Sequence, residues 1–242
     1  MSKSTPSARV GNKPAYNERL FSGQGLRSFY HLARFRWVKS EVARLGLHDL
    51  RLVELGCYDG RLVSELGTTV REYVGLDANW ERGLNLARTK FKDRSEITLI
   101  ETTDPSPLRK FEAGHFNAAA ALETIEHLPP DIVGDYLKEL ARVTNGYMFI
   151  TVPNEIGPVF LLKHIGKTIL YRDARPHKFK ELAAATLLRS DLVERHEHKG
   201  FDYRELIKEI GQYFHVAKVE GLASFLLPPI LSPTVAILAH SK

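Results

Sequence analysis

Two acidic residues and two glycines are spaced so that they could hold a nucleoside. The segment RLVELGCYDG contains Glu54, Gly56 and Gly60, and the apolar run before the glycines predicts a buried strand. Residues 61–66 return to a helical spacing of apolar side chains, so the segment predicts strand, turn and helix. The next apolar run ends at Asp77. An acid at the carboxyl end of a second strand is placed to accept hydrogen bonds from ribose hydroxyls.

The turn also indicates what kind of nucleoside it would bind. Dinucleotide sites use three glycines, because the backbone must approach a pyrophosphate closely. Here two glycines follow the carboxylate of Glu54. A carboxylate would repel a pyrophosphate, but it suits a ligand that carries an ammonium group and no phosphate. A dinucleotide-dependent oxidoreductase remains a competing interpretation at this point.

Two motifs resemble those of class I S-adenosylmethionine (SAM)-dependent methyltransferases. The first is Glu-x-Gly-x-x-x-Gly followed by Val-Gly-Leu-Asp77, with Tyr58 where the family commonly has a middle glycine. The second is Glu126-His-Leu-Pro, which follows the fourth predicted strand. Asn117 stands where the family commonly has an aspartate before that strand. The resemblance covers residues 26–154 and 202–240, and it implies SAM as the cofactor.

The resemblance implies that SAM lies against the carboxyl ends of the first four strands. The implied cofactor-binding residues are Glu54, Gly56, Cys57, Tyr58, Gly60, Asp77, Ala78, Thr103, Asp104 and Glu123. Thr103 and Asp104 stand where the family usually has an acid or amide near the adenine. An Asp-Pro-Ser turn needs no ligand to explain it, so an ordinary turn remains the alternative there.

His127 is the predicted catalytic base. The sulfonium of SAM already provides an activated leaving group, so the protein must mainly position the reactants and exclude water. A hydroxyl acceptor would also benefit from a base, and the resemblance implies that the fourth-strand exit faces the transferred methyl group. The alternative is a histidine that only holds its loop together at the start of a helix.

A metal site is the main alternative at the same place. Glu123, Glu126 and His127 form Glu-x-x-Glu-His, and His196 and His198 follow downstream. This resembles the small-RNA 3′-terminal 2′-O-methyltransferases, and such ligands could bind Mg²⁺ or Mn²⁺. Because Glu-His-Leu-Pro is also common in metal-free relatives, we predict no metal.

The pattern of apolar residues predicts a doubly wound α/β fold with a roughly seven-stranded, mostly parallel sheet. A flexible tail over residues 1–15 precedes a single domain over residues 16–242, with a helical cap inserted at about residues 155–200. The predicted helices cover residues 26–45, 61–66, 80–91, 131–143, 179–188 and 203–213. The predicted strands cover residues 52–55, 73–77, 96–101, 115–122, 147–152, 214–219 and 234–238. The resemblance implies that the last two form an antiparallel pair.

Composition limits the partners and the compartment. The net charge of +5 permits an anionic partner without requiring one. Five basic residues fall in the first predicted helix, where a solvated face explains them and an anion-binding surface is the alternative: Arg27, Arg34, Arg36, Lys39 and Arg44. The single Cys57 excludes an internal disulfide, and the N-terminal residues lack the apolar core of a signal peptide. We therefore expect a cytoplasmic protein without a nucleic-acid partner.

Two apolar segments are not explained by the core pattern. Val159–Leu170 is amphipathic and basic, and Leu222–Leu231 replaces what would ordinarily be a polar hairpin loop. The segments could pack on each other or form a homodimer contact. They could also form the rim of an acceptor pocket that contacts an anionic membrane.

The sequence thus predicts a SAM-dependent methyltransferase that acts on oxygen of a small or a lipid- or sugar-linked metabolite. Two alternatives remain besides the oxidoreductase. One is the metal-assisted RNA methyltransferase, and the other is a non-catalytic module that keeps the SAM fold for interaction.

Overall fold

The computed structural model describes residues 26–80, 82–162, 184–186, 189, 201–222 and 228–242 of the chain. The predicted tail and most of the predicted cap lie outside these residues, as do the side chains of residues 26–31. The helices are α1 (Leu26–Arg44), α2 (Arg61–Leu66), α3 (Gly83–Lys90), α4 (Pro130–Val143) and α5 (Tyr203–Tyr213). The strands are β1 (Leu50–Leu55), β2 (Val70–Asp77), β3 (Ile97–Glu101), β4 (Phe116–Leu122), β5 (Thr144–Pro153), β6 (Phe214–Gly221) and β7 (Thr234–Ser241).

The strands form one sheet in the order β3-β2-β1-β4-β5-β7-β6. The five strands β1 to β5 are parallel, and β7 runs antiparallel to both β5 and β6. This confirms the predicted mostly parallel sheet and its antiparallel closing pair. The chain reverses direction across the sheet between β1 and β4, and such a reversal leaves a crevice at the carboxyl ends of the strands.

Helices cover both faces of the sheet. One apolar cluster joins α4 and α5 to the sheet through side chains such as Leu137 and Ile210, while a second joins α1, α2 and α3 through side chains such as Val38 and Leu84. The centre of β4 is a run of alanines, residues 118–121, all fully buried. Small side chains there let the helices of both layers approach the sheet closely. Burial on both faces explains why the central strands have continuous apolar runs rather than alternating ones.

One predicted helix is shorter than its pattern indicated. The prediction began it at Trp80, but α3 begins at Gly83. Asn79 and Arg82 have φ angles of 57° and 61°, so the backbone between β2 and α3 turns twice through the left-handed region. Trp80 consequently lies outside the helix with 73% of its surface exposed.

In the described part of the first apolar segment, some apolar side chains are exposed to solvent and others are buried. Residues 157–162 are helical, and Phe160 is buried against Ala184 and Ala185. Leu162, in contrast, is 69% exposed. Within the segment Val159–Leu170, Phe160 is therefore not available for the membrane contact given as one alternative, because its side chain packs between two parts of the insertion. Across the described residues, no helix is both long enough and apolar enough to span a membrane.

Candidate functional site

The glycine turn after β1 is shaped by its contact with the exit of β4. Gly56 has a φ of 76°, and a Cβ atom there would overlap the side chain of Thr124. Tyr58 has a φ of 46°, so it keeps a left-handed conformation that glycine ordinarily provides. Its ring lies against Gly83, where any Cβ atom would collide with it. The turn thus keeps a glycine-like path although Tyr58 replaces the family's middle glycine.

Asp77 fixes the geometry of this turn. One carboxylate oxygen accepts a hydrogen bond from the backbone N–H of Tyr58 at 2.9 Å, and the other accepts from the N–H of Asn79 at 2.7 Å. The carbonyl oxygen of Asp77 accepts from the N–H of Thr102 at 2.9 Å. Asp77 therefore connects the exits of β1, β2 and β3. Each carboxylate oxygen can accept a further hydrogen bond, so a ribose role remains open to it.

Glu54, predicted as a cofactor-binding carboxylate, is almost completely buried. Its side chain is 2% exposed, and it accepts a hydrogen bond of 2.5 Å from the hydroxyl of Tyr73. Burial raises the pKa of Glu54 to about 8, although the Tyr73 hydrogen bond and the charge of Arg34 act in the opposite direction. The buried carboxyl of Glu54 therefore stabilises the strand that leads into the turn through its hydrogen bond with Tyr73. Because its pKa is about 8, the neutral form of this carboxyl predominates over much of the physiological pH range.

Arg34 is a site residue that the sequence analysis assigned to a solvated face. It is half-buried, and its Nε atom is buried without a hydrogen-bond partner among the described residues. Its charge lowers the pKa of both Glu54 and Glu126, so it lies between the exits of β1 and β4. Helical spacing could have revealed it, because positions 34, 38 and 41 share a face and both Val38 and Glu41 are buried. Arg36, Lys39 and Arg44 are exposed, as predicted.

The residues proposed for the adenine have a local structural role. A carboxylate oxygen of Asp104 accepts from the N–H of Ser106 at 2.7 Å. Hydrogen bonding from the side chain of Ser106, followed by this backbone hydrogen bond, lowers the pKa of Asp104. Thr103 is exposed and Ala78 is half-buried. The turn is therefore stable without a ligand, and an adenine role for Thr103 and Asp104 remains a prediction.

The exit of β4 contains two neighbouring acids that differ in burial, Glu123 being half-buried and Glu126 buried. Glu123 has a φ of 57°, and its backbone N–H donates to the carbonyl of Thr151 on β5 at 2.8 Å. Glu126 lies in the short helical turn Ile125–His127 and is 1% exposed. Burial, followed by the charge of Glu123, holds the pKa of Glu126 well above its usual range. His127, the predicted base, is exposed at the end of the same turn.

Asn154 is a second residue that the sequence analysis did not assign. It follows β5, is fully buried, and its side-chain amide donates to the carbonyl oxygens of Pro229, Ile230 and Ser232 at 2.9–3.3 Å. Its side-chain oxygen accepts from the N–H of Ile156 at 3.2 Å. Asn154 thus ties the loop before β7 to the start of the insertion. Its position directly after a buried strand was the available signal.

The metal alternative gains no support from the described residues. Among them, no group of three or more histidine, cysteine, aspartate or glutamate side chains is arranged to hold a metal ion. Glu123, Glu126 and His127 come together in one turn, but they do not form such a group. His196 and His198 lie outside the described residues.

The arrangement fits the predicted cofactor. Gly56 adds no side chain at the exit of β1, where the side chain of Thr124 already lies, and Asp77 presents a carboxylate at the adjacent strand end. Cys57 and Gly60 contribute backbone to the same turn, where the N–H of Gly60 donates to the carbonyl of Cys57 at 2.8 Å. These residues would hold the nucleoside, while Glu123 and His127 would stand next to its reactive end.

Comparison with known proteins agrees with this geometry. A family model described as a methyltransferase domain matches residues 30–212. No curated protein matches the chain. Three solved structures illustrate the shared fold, and at 11–18% identity they show the fold alone.

The first of these structures is the methyltransferase domain of bacterial CtHen1, at 18% identity and a TM-score of 0.57, covering 86% of this chain and 98% of that one. The second is magnesium protoporphyrin IX methyltransferase from Synechocystis PCC 6803 with bound S-adenosylhomocysteine (SAH), at 16% and 0.60, covering 93% of each chain. The third is a SAM-dependent methyltransferase from Clostridium acetobutylicum ATCC 824, at 11% and 0.62, covering 93% and 96%. The chain belongs to the methyltransferase-domain family, which confirms the predicted class I SAM-dependent methyltransferase.

Proposed function

We propose that this enzyme transfers the methyl group of SAM to an oxygen atom of a small or a lipid- or sugar-linked metabolite. The observation that carries the proposal is the contact between two turns. Because Gly56 lies against Thr124, the nucleoside-binding turn after β1 meets the turn that contains Glu123, Glu126 and His127. Side chains that could accept or donate a proton thus lie next to the proposed cofactor site.

Different residues of the chain bind the cofactor and transfer the proton. Asp77 would hold the ribose of the cofactor through its carboxylate, and the turn from Gly56 to Gly60 would hold the methionine end. Bound SAM supplies a methyl group on a positively charged sulfur, which displacement by an acceptor oxygen can remove. An imidazole nitrogen of His127 takes the hydroxyl proton as the oxygen attacks.

Charge at the β4 exit supports a metabolite rather than an RNA acceptor. The negative charges of Glu123 and Glu155, which raise the pKa of Glu126, oppose the approach of a phosphate backbone, which ordinarily requires neutralising lysine and arginine side chains. The RNA 2′-O-methyltransferase therefore stays an alternative that experiment must exclude. The non-catalytic module also remains, since a retained cofactor fold does not by itself require turnover.

Transfer of label from methyl-labelled SAM tests the proposal. The purified enzyme is incubated with cell extract, and the extract is then separated into small-molecule, lipid and RNA fractions. We expect label in the small-molecule or lipid fraction and not in RNA. Calorimetry with SAH and with NAD(P)H is carried out in parallel, and we expect micromolar binding of SAH alone.

Each other outcome has a defined meaning. Label in the RNA fraction would replace the proposal with the RNA alternative. SAH binding without label in any fraction would favour the non-catalytic module. Failure to bind SAH would overturn every interpretation based on SAM. The variant Asp77→Ala serves as the control with a weakened cofactor site, and label that it transfers as fast as wild type would be unrelated to this site.

A further inference from the structure

Two exposed histidines lie side by side on the sheet, far from the cofactor site. His215 on β6 and His240 on β7 are direct cross-strand partners, so their side chains share one face of the sheet. His240 also pairs with Tyr147, near the start of β5. The candidate cofactor site lies at the other end of the strands, where β5 ends at Pro153. Six residues of strand separate the two ends by about 20 Å, so the histidine pair is not part of that site.

The separation of the two imidazole rings is the one that a shared metal ion requires. The ring centroids of His215 and His240 are 5.1 Å apart, and the ring planes are inclined by 40°. With metal–nitrogen bonds of about 2.0–2.1 Å, two imidazoles that bind one ion at an angle of about 90–110° have centroids roughly 4.5–5.3 Å apart. Rings that only stack prefer an offset parallel or an edge-to-face arrangement, and the observed tilt fits neither.

A hydrogen bond fixes which nitrogen of His240 is available. Its Nδ1 atom lies 2.9 Å from the carbonyl oxygen of Ser241. A carbonyl oxygen only accepts, so Nδ1 carries the proton and Nε2 of the neutral ring keeps a free electron pair. Histidines that bind metals in proteins almost always donate their other ring N–H to a carbonyl or carboxylate oxygen in this way. The ring of His240 is therefore in the tautomer that a metal ligand needs.

The surroundings of the pair hold it in place. The Tyr147 ring lies against His240 in an edge-to-face contact, with 6.5 Å between the centroids. The ring nitrogens of His215 make no hydrogen bond with a described residue, so they remain available to a ligand. Lys218, the next basic residue along β6, pairs with Glu41 and Glu220, which compensate its charge. Since both histidines stand on strands of one sheet, binding an ion requires little ordering of the backbone.

We propose that His215 and His240 form a binding site for one divalent transition-metal ion of the Zn²⁺, Ni²⁺ and Cu²⁺ class. Imidazole nitrogen suits these ions, whereas Mg²⁺ prefers oxygen ligands. Water occupies the remaining coordination positions, because the pair is exposed. The bound ion links the edge strand β6 to β7 and stabilises the folded chain, since it binds the folded state and not the separated strands. This site is distinct from the metal alternative at the β4 exit.

Calorimetry with Zn²⁺ on the full chain without an affinity tag tests the proposal. We compare wild type with His215→Gln and His240→Gln, each of which removes one imidazole at an exposed position. We expect each variant to bind Zn²⁺ roughly tenfold or more weakly, because one remaining imidazole cannot chelate the ion. Thermal denaturation without metal checks that both variants fold as wild type does.

His48→Gln is the matched control. His48 is exposed, and its Nδ1 atom also lies near a backbone carbonyl oxygen, that of Gly46 at 3.0 Å. It has no ring contact with a second described histidine. We therefore expect Zn²⁺ to bind His48→Gln as tightly as wild type. Electron paramagnetic resonance of Cu²⁺ bound at one equivalent gives a readout without any substitution, and we expect the splitting pattern of two nitrogen ligands.

Three results would overturn the proposal. The first is the absence of Zn²⁺ binding by wild type at millimolar concentration. The second is equal Zn²⁺ affinity in wild type, His215→Gln and His240→Gln, or a Cu²⁺ spectrum with one nitrogen ligand. The third is a Zn²⁺ ion that competes with SAH, because such an ion would lie at the β4 exit. SAH affinity that is unchanged at saturating Zn²⁺ is the expected result, since the two sites lie at opposite ends of the sheet.

Discussion

The two halves of the site differ in how well their polar groups are satisfied before a ligand binds. At the cofactor half, the carboxylate of Asp77 accepts from two backbone N–H groups, and Glu54 accepts from Tyr73. At the acceptor half, Glu126 is equally buried but has no hydrogen-bond partner among the described residues. A binding site whose geometry is already formed loses less conformational entropy when its ligand binds. This suits a cofactor that is the same in every reaction cycle. The carboxyl of Glu126 has no such preformed geometry among the described residues.

Gly56 joins the two halves, so its substitution should have the largest effect. Gly56→Val would force a side chain into Thr124 at a φ of 76°. We expect overpacking and backbone strain to lower the free energy of unfolding by roughly 3–5 kcal/mol and to abolish SAM binding. Thermal denaturation and calorimetry measure both effects.

A double variant identifies which contact matters. Gly56→Ala combined with Thr124→Gly removes the overlap while keeping the added Cβ atom. Recovered stability without SAM binding would mean that the cofactor itself needs the space at Gly56. Recovery of both stability and SAM binding would mean that the loss in Gly56→Val comes from the contact between the turn after β1 and the turn after β4.

Glu54 should make the stability of the cofactor half depend on pH. Because folding raises the pKa of its carboxyl from 4.5 to about 8, the folded state binds this proton more tightly than the unfolded state. Its stabilising contribution is full below pH 4.5 and is lost as the pH rises towards 8. The loss is on the order of 4 kcal/mol. Denaturant unfolding at several pH values should show this slope in wild type, and a Glu54→Gln profile equally steep would contradict the assignment.

A substitution of Asn154 tests whether the acceptor half of the site is stabilised independently of the cofactor half. Asn154→Ala would leave buried backbone carbonyls of the loop before β7 without their donor. We expect the free energy of unfolding to fall by about 2–4 kcal/mol. Asn145→Ala, at an exposed position near the start of the same strand, should change it little. SAH affinity that falls as much as stability in Asn154→Ala would contradict the separation of the two halves.

Asp77→Ala should weaken the cofactor half more modestly. Loss of charge-assisted hydrogen bonds to the ribose corresponds to about 1.5–3 kcal/mol, or roughly tenfold or more in SAM affinity. Since Asp77 also holds the N–H groups of Tyr58 and Asn79, thermal denaturation must show how much of the loss comes from a loosened turn. SAM binding as tight as in wild type would make the ribose assignment wrong.

Removal of divalent metal should have the smallest effect. We expect methyl transfer to the true acceptor to survive a chelator, because no group of three or more ligand side chains among the described residues is arranged for a metal, and the proposed histidine pair lies at the other end of the sheet. Turnover measured with chelator, and again after Mg²⁺ or Mn²⁺ is added back, checks this. Loss of turnover that metal restores would favour the RNA 2′-O-methyltransferase.

The sequence by itself determined the architecture and the family, and it predicts the residues of the cofactor half. Apolar runs of strand length, the glycines at positions 56 and 60 and the acid at position 77 are local signals, because each depends on neighbouring residues in the chain. They were sufficient to predict the strands and helices, while the methyltransferase family and the antiparallel closing pair followed from the resemblance of the two motifs. Local signals failed at α3, where two left-handed residues delay a helix that the apolar spacing alone would start earlier.

Only the tertiary structure decided the state of the acceptor half. Whether Arg34 faces solvent or the site, whether Phe160 is exposed, and what Asn154 contacts depend on segments far apart in the chain. The same holds for the two glutamates of the motifs. Glu54 and Glu126 are alike in sequence as acids at strand exits, but packing gives one a tyrosine hydroxyl and leaves the other without a partner among the described residues. Burial and partners, which set the pKa and the ligand preference of a carboxyl group, arise only when those segments meet.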